Sequence, residues 1–454
     1  MMTRVTLIAL AAAVACAGVA RAEENGGGTP MALTLADAVN RALASDAGYL
    51  SAQKDADAAR AKISEARAAF IPTATLGATA MQILGLPTMV IPANSFGPGF
   101  PPEDVMFSTG YDRTVAAEAT LTYLPYQGGR EYAGYRLAKR GYELSSEALR
   151  QSRSNLIYDV AAAYYNVVLA EEAVRVVDTS VAVATSHVTA TEDRYEAGLV
   201  SEYDVLRTRV QLTNLETARR HAEDGRVAAT RYLLILLGLP AGTPVALKDR
   251  LTFNVERYNL DESIAAASAA RPELRQMESS RLMAEDSVKL ARGGDNPTVV
   301  FTADYTDYAN AYSLNFADDW NDETTLALIV SWPVFDAFAT RSRVRQARAE
   351  VAKTEFTKIR LAESVAMEVR GAWDNLATLE ASVAAQKENV DFAERGLAIA
   401  QARYDAGLMS NLEVLDAQSA LTQAEMGYFT ALRDYELAKF AMRRARGDLA
   451  EATF

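Results

Sequence analysis

Side chains that could perform chemistry are scarce in this sequence. It contains two histidines, His187 and His221, and a single cysteine, Cys16. Both histidines fall in helical runs, where we expect them to be solvated, and neither has a second His or a Cys nearby to complete a zinc site. A phosphate-binding Gly-x-x-x-x-Gly-Lys-Ser/Thr motif is also absent. We therefore predict a protein that is not an enzyme and that uses no metal or cofactor.

The polar residues with the most informative spacing lie in a segment that occurs twice. Residues 194–206 read RYEAGLVSEYDVL and residues 403–415 read RYDAGLMSNLEVL. Most positions are identical, and the Glu/Asp exchanges keep the charge. A long internal repeat of this kind indicates a duplicated structural unit, so the fold should consist of two similar halves.

Each copy has the features of a helical hairpin tip. Gly198 and Gly407 suit the left-handed position that ends a helix. A Ser-x-x-Asp/Glu pattern then follows, and it resembles the capping box that opens a new helix. The two pairs are Ser201 with Asp204 and Ser410 with Glu413.

Very long helices must carry these tips. Residues 130–197 and 341–406 contain no proline and few glycines. At a rise of about 1.5 Å per residue, each helix would reach ~100 Å, which is more than one globular core requires. After each tip the chain is expected to return as a second helix, ending near Leu237 or Arg446.

Ahead of each long helix, hydrophobicity alternates with a period of two. The alternating segments are residues 73–80, 114–124, 298–305 and 324–332. Each half therefore has two strands long enough to cross a bilayer when tilted. Leu124-Pro125 and Trp332-Pro333 are expected to close one strand in each pair. The loop inside the first pair should hold neither helix nor central strand, because it contains several prolines. These are Pro87, Pro92, Pro98, Pro101 and Pro102.

Four strands cannot close a transmembrane barrel, since the smallest bacterial barrels use about eight. An open strand edge in lipid would leave backbone groups without hydrogen bonds. The chain must therefore pool strands with copies of itself, and the strand count leaves dimer and trimer open. The predicted fold class is mainly α with a β-barrel portion, built from duplicated halves.

The N-terminus predicts export. Residues 1–22 read as a signal peptide with Arg4, an apolar stretch and an Ala20-Arg21-Ala22 cleavage site. Lipoprotein processing at Cys16 is the alternative.

We divide the chain after the signal peptide into a first structural repeat, residues 23–239, and a second structural repeat, residues 240–454. A formal charge of −13 argues against a nucleic-acid partner. No later segment has the apolar length of a transmembrane helix.

In their order, these features resemble the TolC-like outer-membrane efflux protein family over essentially the whole mature chain. The resemblance implies a homotrimer with a β-barrel in outer-membrane lipid and an α-helical barrel that crosses the periplasm. It also implies a passive exit channel of a tripartite efflux or type I secretion system. The partners would be a periplasmic adaptor protein and either an inner-membrane pump or an ABC exporter. The alternative is that the chain is itself a periplasmic adaptor with a helical hairpin.

The resemblance also assigns roles at the tips. Glu413 and Asp416 match the acidic ring of the closed entrance, and they share a helix face because they are three residues apart. Asp204 and Tyr404 match members of the network that holds the entrance shut, through a predicted hydrogen bond between tyrosine and carboxylate. Met409 stands where some relatives have an arginine. The residues expected to contact the adaptor are Gly198, Leu199, Val200, Ser201, Gly407, Leu408, Met409 and Ser410.

Overall fold

A computed structural model describes residues 31–95, 97, 102–108, 111–311 and 320–451. The predicted signal peptide, Cys16, Pro98 and Pro101 lie outside these residues. Among the residues described, no helix combines the length and apolarity needed to cross a membrane.

The two halves follow the same plan of short helices, strands and one long helical hairpin. The first half contains β1 (Met31–Leu33), α1 (Leu35–Ser45), α2 (Ala47–Ala68), β2 (Thr73–Gln82), β3 (Thr88–Ile91), β4 (Val105–Ser108), β5 (Arg113–Gln127), α3 (Arg130–Glu196) and α4 (Glu202–Leu236). The second contains β6 (Val245–Leu247), α5 (Leu260–Ala270), α6 (Pro272–Arg292), β7 (Thr298–Ala311), β8 (Trp320–Ser331), α7 (Ala339–Asp405) and α8 (Asn411–Arg446). The duplicated plan confirms the predicted fold class.

One antiparallel sheet joins the halves, with strand order β2-β5-β7-β8. The pairing register of this sheet places polar side chains on one face and apolar side chains on the other. The polar face carries Glu118 of β5, which lies opposite Gly77 of β2 and Thr306 of β7. The other face carries apolar pairs such as Phe301 with Leu328. Strands β2 and β8 form the two edges of the sheet, and nearly all of their side chains are exposed.

One sequence expectation about the strands was wrong. Strand β5 does not close at Leu124-Pro125 but continues to Gln127. Its pairing with β7 shifts register between Tyr123 and Tyr126, so the proline occupies an irregular position that needs no ladder hydrogen bond. The proline-rich loop holds neither a helix nor a central strand among its described residues, in agreement with the expectation, but it does contain two short edge strands. Its short β3 and β4 pair with each other as a separate two-stranded sheet.

The helices of the long hairpins agree with the sequence to within about two residues. Both α3 and α7 have 67 residues, which corresponds to ~100 Å. The shorter helices are each interrupted once. Asp46 separates α1 from α2, and its Oδ1 accepts a hydrogen bond from Tyr49 N at 2.7 Å. Arg271 separates α5 from α6, which begins at Pro272.

Two apolar cores lie at the ends of the hairpins away from the tips, and equivalent hydrogen bonds fix them. The first core also includes Phe440 and Leu449 of the second half. Tyr164 Oη on α3 lies 3.0 Å from Leu33 O, two residues before α1 begins. Trp373 Nε1 on α7 donates to Tyr258 O at 2.9 Å, two residues before α5 begins. The two halves therefore share both their backbone plan and the side-chain hydrogen bonds that hold the segment before the first short helix against the long helix.

Candidate functional site

The candidate site is the pair of hairpin tips. Gly198 and Gly407 both adopt a φ of 71°, the left-handed conformation expected of them. Leu199 and Leu408 are each 74 % exposed, so both turns present an apolar side chain at the end of the molecule. The two tips are therefore alike in backbone and in surface.

The predicted capping boxes are present at both tips. The carboxylate of Asp204 accepts hydrogen bonds from Ser201 N at 3.1 Å and Ser201 Oγ at 2.6 Å. The carboxylate of Glu413 accepts from Ser410 N at 2.9 Å and Ser410 Oγ at 3.1 Å. These bonds fix the direction in which α4 and α8 leave the turns.

The described structure of one chain does not contain the predicted hydrogen bond between Tyr404 and Asp204. The capping box occupies the Asp204 carboxylate. Tyr404 is buried, and its Oη finds no hydrogen-bond partner among the described residues. The side chain instead packs in a small apolar cluster with Ala400 and Val414, and Met409 lies against this cluster. Tyr404 thus contributes its ring rather than its hydroxyl.

Arg194 makes one polar connection between the tips. Its guanidinium carbon lies 4.4 Å from the centroid of the Tyr404 ring. The same group donates to Tyr404 O at 3.3 Å and to Asp405 Oδ1 at 2.9 Å. The side chain is about one-quarter exposed, which strengthens the cation–π contact relative to a fully solvated one. The sequence carried a signal for this residue, because the Arg-Tyr pair occurs in both repeats.

His187 is buried, contrary to the expectation that both histidines are solvated; His221 is exposed as expected. The ring of His187 lies 5.4 Å from that of Tyr404. Asn411 on α8 donates from Nδ2 to Asp204 O at 3.4 Å, so its Oδ1 accepts from His187 Nε2 at 2.5 Å. Asn411 therefore links the second hairpin to both helices of the first.

Glu413 and Asp416 are both exposed on the first two turns of α8. They share a helix face as the spacing predicts, and Glu413 also serves the capping box. Within the described residues, no group of three or more His, Cys, Asp or Glu side chains could hold a metal ion.

The chain matches the Outer membrane efflux protein family over residues 38–239 and 264–448. It is 26 % identical to Protein CyaE of Bordetella pertussis over 75 % of this chain and 72 % of that protein. It is 23 % identical to Outer membrane protein TolC of Escherichia coli, covering 87 % and 78 %. The crystal structure of VceC from Vibrio cholerae has the same fold, with a TM-score of 0.74 at 17 % identity over 91 % and 96 % of the two chains.

The chain therefore belongs to the outer membrane efflux protein family. It is an outer-membrane channel for efflux or secretion that extends into the periplasm, as its resemblance to this family implied. The alternative of a periplasmic adaptor is not supported, because the relatives and the structural neighbours are outer-membrane proteins. Members of this family are transport channels rather than enzymes.

Proposed function

We propose that three copies of the chain form one passive, non-enzymatic exit duct, with a twelve-stranded barrel in outer-membrane lipid and an α-helical barrel below it. The observation that carries this proposal is the open sheet. Strands β2 and β8 have 10 and 12 residues, and no described strand of the chain pairs with their outer sides. In lipid such edges cost several kcal/mol for each unpaired backbone group, so β2 of one copy should pair with β8 of the next.

The two faces of the sheet support this arrangement. The face with Glu118 and Asp304 would line an aqueous lumen, and the face with Leu326 and Leu328 would contact lipid. Leu326 and Leu328 are each 68 % exposed in the single chain. A dimer would supply only eight strands, which leave room for side chains but little space for transported molecules.

The tips would form the periplasmic entrance. Three copies of Glu413 and Asp416 would place six carboxylates around one axis, where they would favour cations and repel one another in the closed state. The exposed Leu199 and Leu408 are apolar contacts that suit a periplasmic adaptor protein. The adaptor would connect the duct to an inner-membrane pump or an ABC exporter, and this partner would select the cargo.

The oligomeric state tests this proposal. The full chain is extracted in detergent, and its protein mass is measured by gel filtration with light scattering after subtraction of the detergent. A mass of three chains is the expected result. A mass of two chains would contradict the twelve-stranded barrel. A monomer that stays in solution without detergent would contradict the channel itself.

A further inference from the structure

A cavity of about 600 Å³ lies among the four long helices close to the tips. All four helices contribute to its wall, for example Val183 of α3, Leu215 of α4, Leu397 of α7 and Leu421 of α8. Its size lies within the range of ~300–1,000 Å³ that is typical of small-molecule sites, which are also mostly apolar with a few polar groups. The cavity is therefore large enough for a ligand of drug size.

Inter-hairpin contacts flank the cavity along the helices. Towards the tip, His187 and Val414 belong both to its wall and to the contacts around Tyr404. Away from the tip, Ser180 Oγ and Thr422 Oγ1 lie 2.8 Å apart and join α3 to α8. The space is thus a feature of the packing between hairpins, separate from the exposed turns.

One polar atom of the wall lacks a partner. Gln418 of α8 is only 9 % exposed, and its Oε1 is buried without a hydrogen bond to any described residue. A carbonyl oxygen can only accept, so the missing partner must be a donor. A buried acceptor without a partner destabilises the protein, and a ligand that donates to it would recover this loss.

The charges of the wall favour a cation. Glu394 of α7 lines the cavity and is exposed, so its carboxylate lies at the side open to solvent. Among the described residues that form the wall, none is Lys or Arg. A positively charged donor would therefore meet an unpaired acceptor and a carboxylate without repulsion from a fixed cation.

We propose that this cavity binds a small organic cation, with an apolar body among the helices and an ammonium group that donates to Gln418 Oε1. Such a ligand would contact both hairpins at once. Its binding would oppose separation of the hairpins. The binding itself does not depend on the trimeric channel proposed above; only its effect on the entrance does.

The test uses the purified full chain in detergent and 1-naphthylmethylamine as the probe, titrated by calorimetry at pH 7. We expect saturable binding of one probe per chain. The neutral 1-ethylnaphthalene, which has no donor, should bind roughly tenfold or more weakly, because it lacks a charge-assisted hydrogen bond. Uptake that does not saturate would show partition into detergent and would overturn the proposal.

Two variants locate the site. Gln418→Leu keeps the size of the side chain but removes the acceptor, and it should weaken binding of the amine roughly tenfold or more. Ala184→Leu fills part of the cavity and should abolish binding, since Ala184 is a buried wall residue. Gln423→Leu is the matched control, because Gln423 is an exposed glutamine on the same helix outside the wall.

Equal affinity of the wild type and Gln418→Leu would overturn the proposal, as would binding that Ala184→Leu leaves unchanged. The melting temperature without probe verifies that each variant is folded. The mass in detergent and the conductance in bilayers are measured on the same samples. Failure of this site therefore remains distinguishable from failure of the proposed duct.

Discussion

The guanidinium group of Arg194 lies over the ring of Tyr404, with 4.4 Å between its central carbon and the ring centroid. The two residues belong to different hairpins, at the ends of α3 and α7. The contact therefore connects the halves of the duplicated chain at the point where the entrance would widen. Asp405 adds a second contact between the hairpins, an ion pair with Arg194 at 2.9 Å.

Removal of this arginine should loosen the entrance. Arg194→Ala removes the cation–π contact and the ion pair, and we expect a loss of about 1–2 kcal/mol between the hairpins. The mean conductance of single channels in planar bilayers should rise several-fold. Arg209→Ala is the control, because Arg209 pairs with Glu192 inside the first hairpin. An equal rise in both variants would argue against a specific tie between hairpins.

The hydroxyl of Tyr404 should not be needed to keep the entrance closed. Because Oη is buried without a partner in the described structure, Tyr404→Phe should leave the conductance unchanged and slightly raise the thermal stability. Tyr404→Ala removes the ring that contacts Arg194 and His187 and should increase the conductance. If Tyr404→Phe alone opened the channel, the hydroxyl would bond across subunits and our assignment would be wrong.

The acidic face of α8 should determine ion selectivity. Glu413→Gln combined with Asp416→Asn removes the charge, and a glutamine at position 413 can still complete the capping box. We expect the reversal potential in a salt gradient to shift towards lower cation selectivity. Glu202→Gln at the first tip serves as the control, since Glu202 is exposed at the start of α4. An unchanged reversal potential in the double variant would exclude the acidic ring.

The core hydrogen bond of the first half should be sensitive to alkali. Burial raises the pKa of Tyr164 well above its ordinary value of 10.0. The neutral side chain is therefore favoured by folding, so its stabilisation is complete below pH 10 and declines as the pH rises towards the folded-state pKa. Tyr164→Phe should lower stability by about 1–2 kcal/mol at pH 8 and weaken the alkaline decline.

Thermal melting followed by circular dichroism between pH 8 and 11 measures this effect. Trp373→Phe removes the equivalent bond in the second half and introduces no titrating group. It should therefore lower the melting temperature at pH 8 while retaining the alkaline decline. An identical pH profile in wild type and Tyr164→Phe would contradict the role of Tyr164.

The two faces of the sheet should respond differently to a charge. Leu328→Arg places a cation on the apolar face and should cost about 2–4 kcal/mol in the bilayer, so that little folded protein reaches the outer membrane. Thr325→Arg lies on the polar face opposite Asp304 and should be tolerated. Heat-modifiable migration on gels, applied to outer-membrane fractions, distinguishes these results. Equal assembly of both variants would contradict the assignment of the faces.

The sequence predicted the long helices and the long strands well, because each of them shows a clear periodicity in hydrophobicity. A helix such as α3 and a strand such as β7 each show many turns or alternations, so their presence was clear. The three-residue strands β1 and β6, which pair in parallel, have no measurable period, and the sequence did not predict them.

The sequence predicted the backbone conformation of the hairpin tips, but it did not predict which side chains contact each other between the tips. Gly198 and Ser201 act on their own neighbours, so local sequence determines their role. The bonds of Arg194 and His187 reach residues more than 200 positions away in the sequence. Such partners depend on how the two hairpins pack together. The repeat indicated that the two tips exist but not which residues meet between them.

The unpaired edges of β2 and β8 also have a consequence for biogenesis. Both helical cores consist of residues of one chain, so we expect this part to fold before any neighbour arrives. In the proposed trimer, the sheet closes into a barrel only when copies of the chain associate. Entry into the bilayer would then follow association, and its rate would rise steeply with the concentration of newly exported chains.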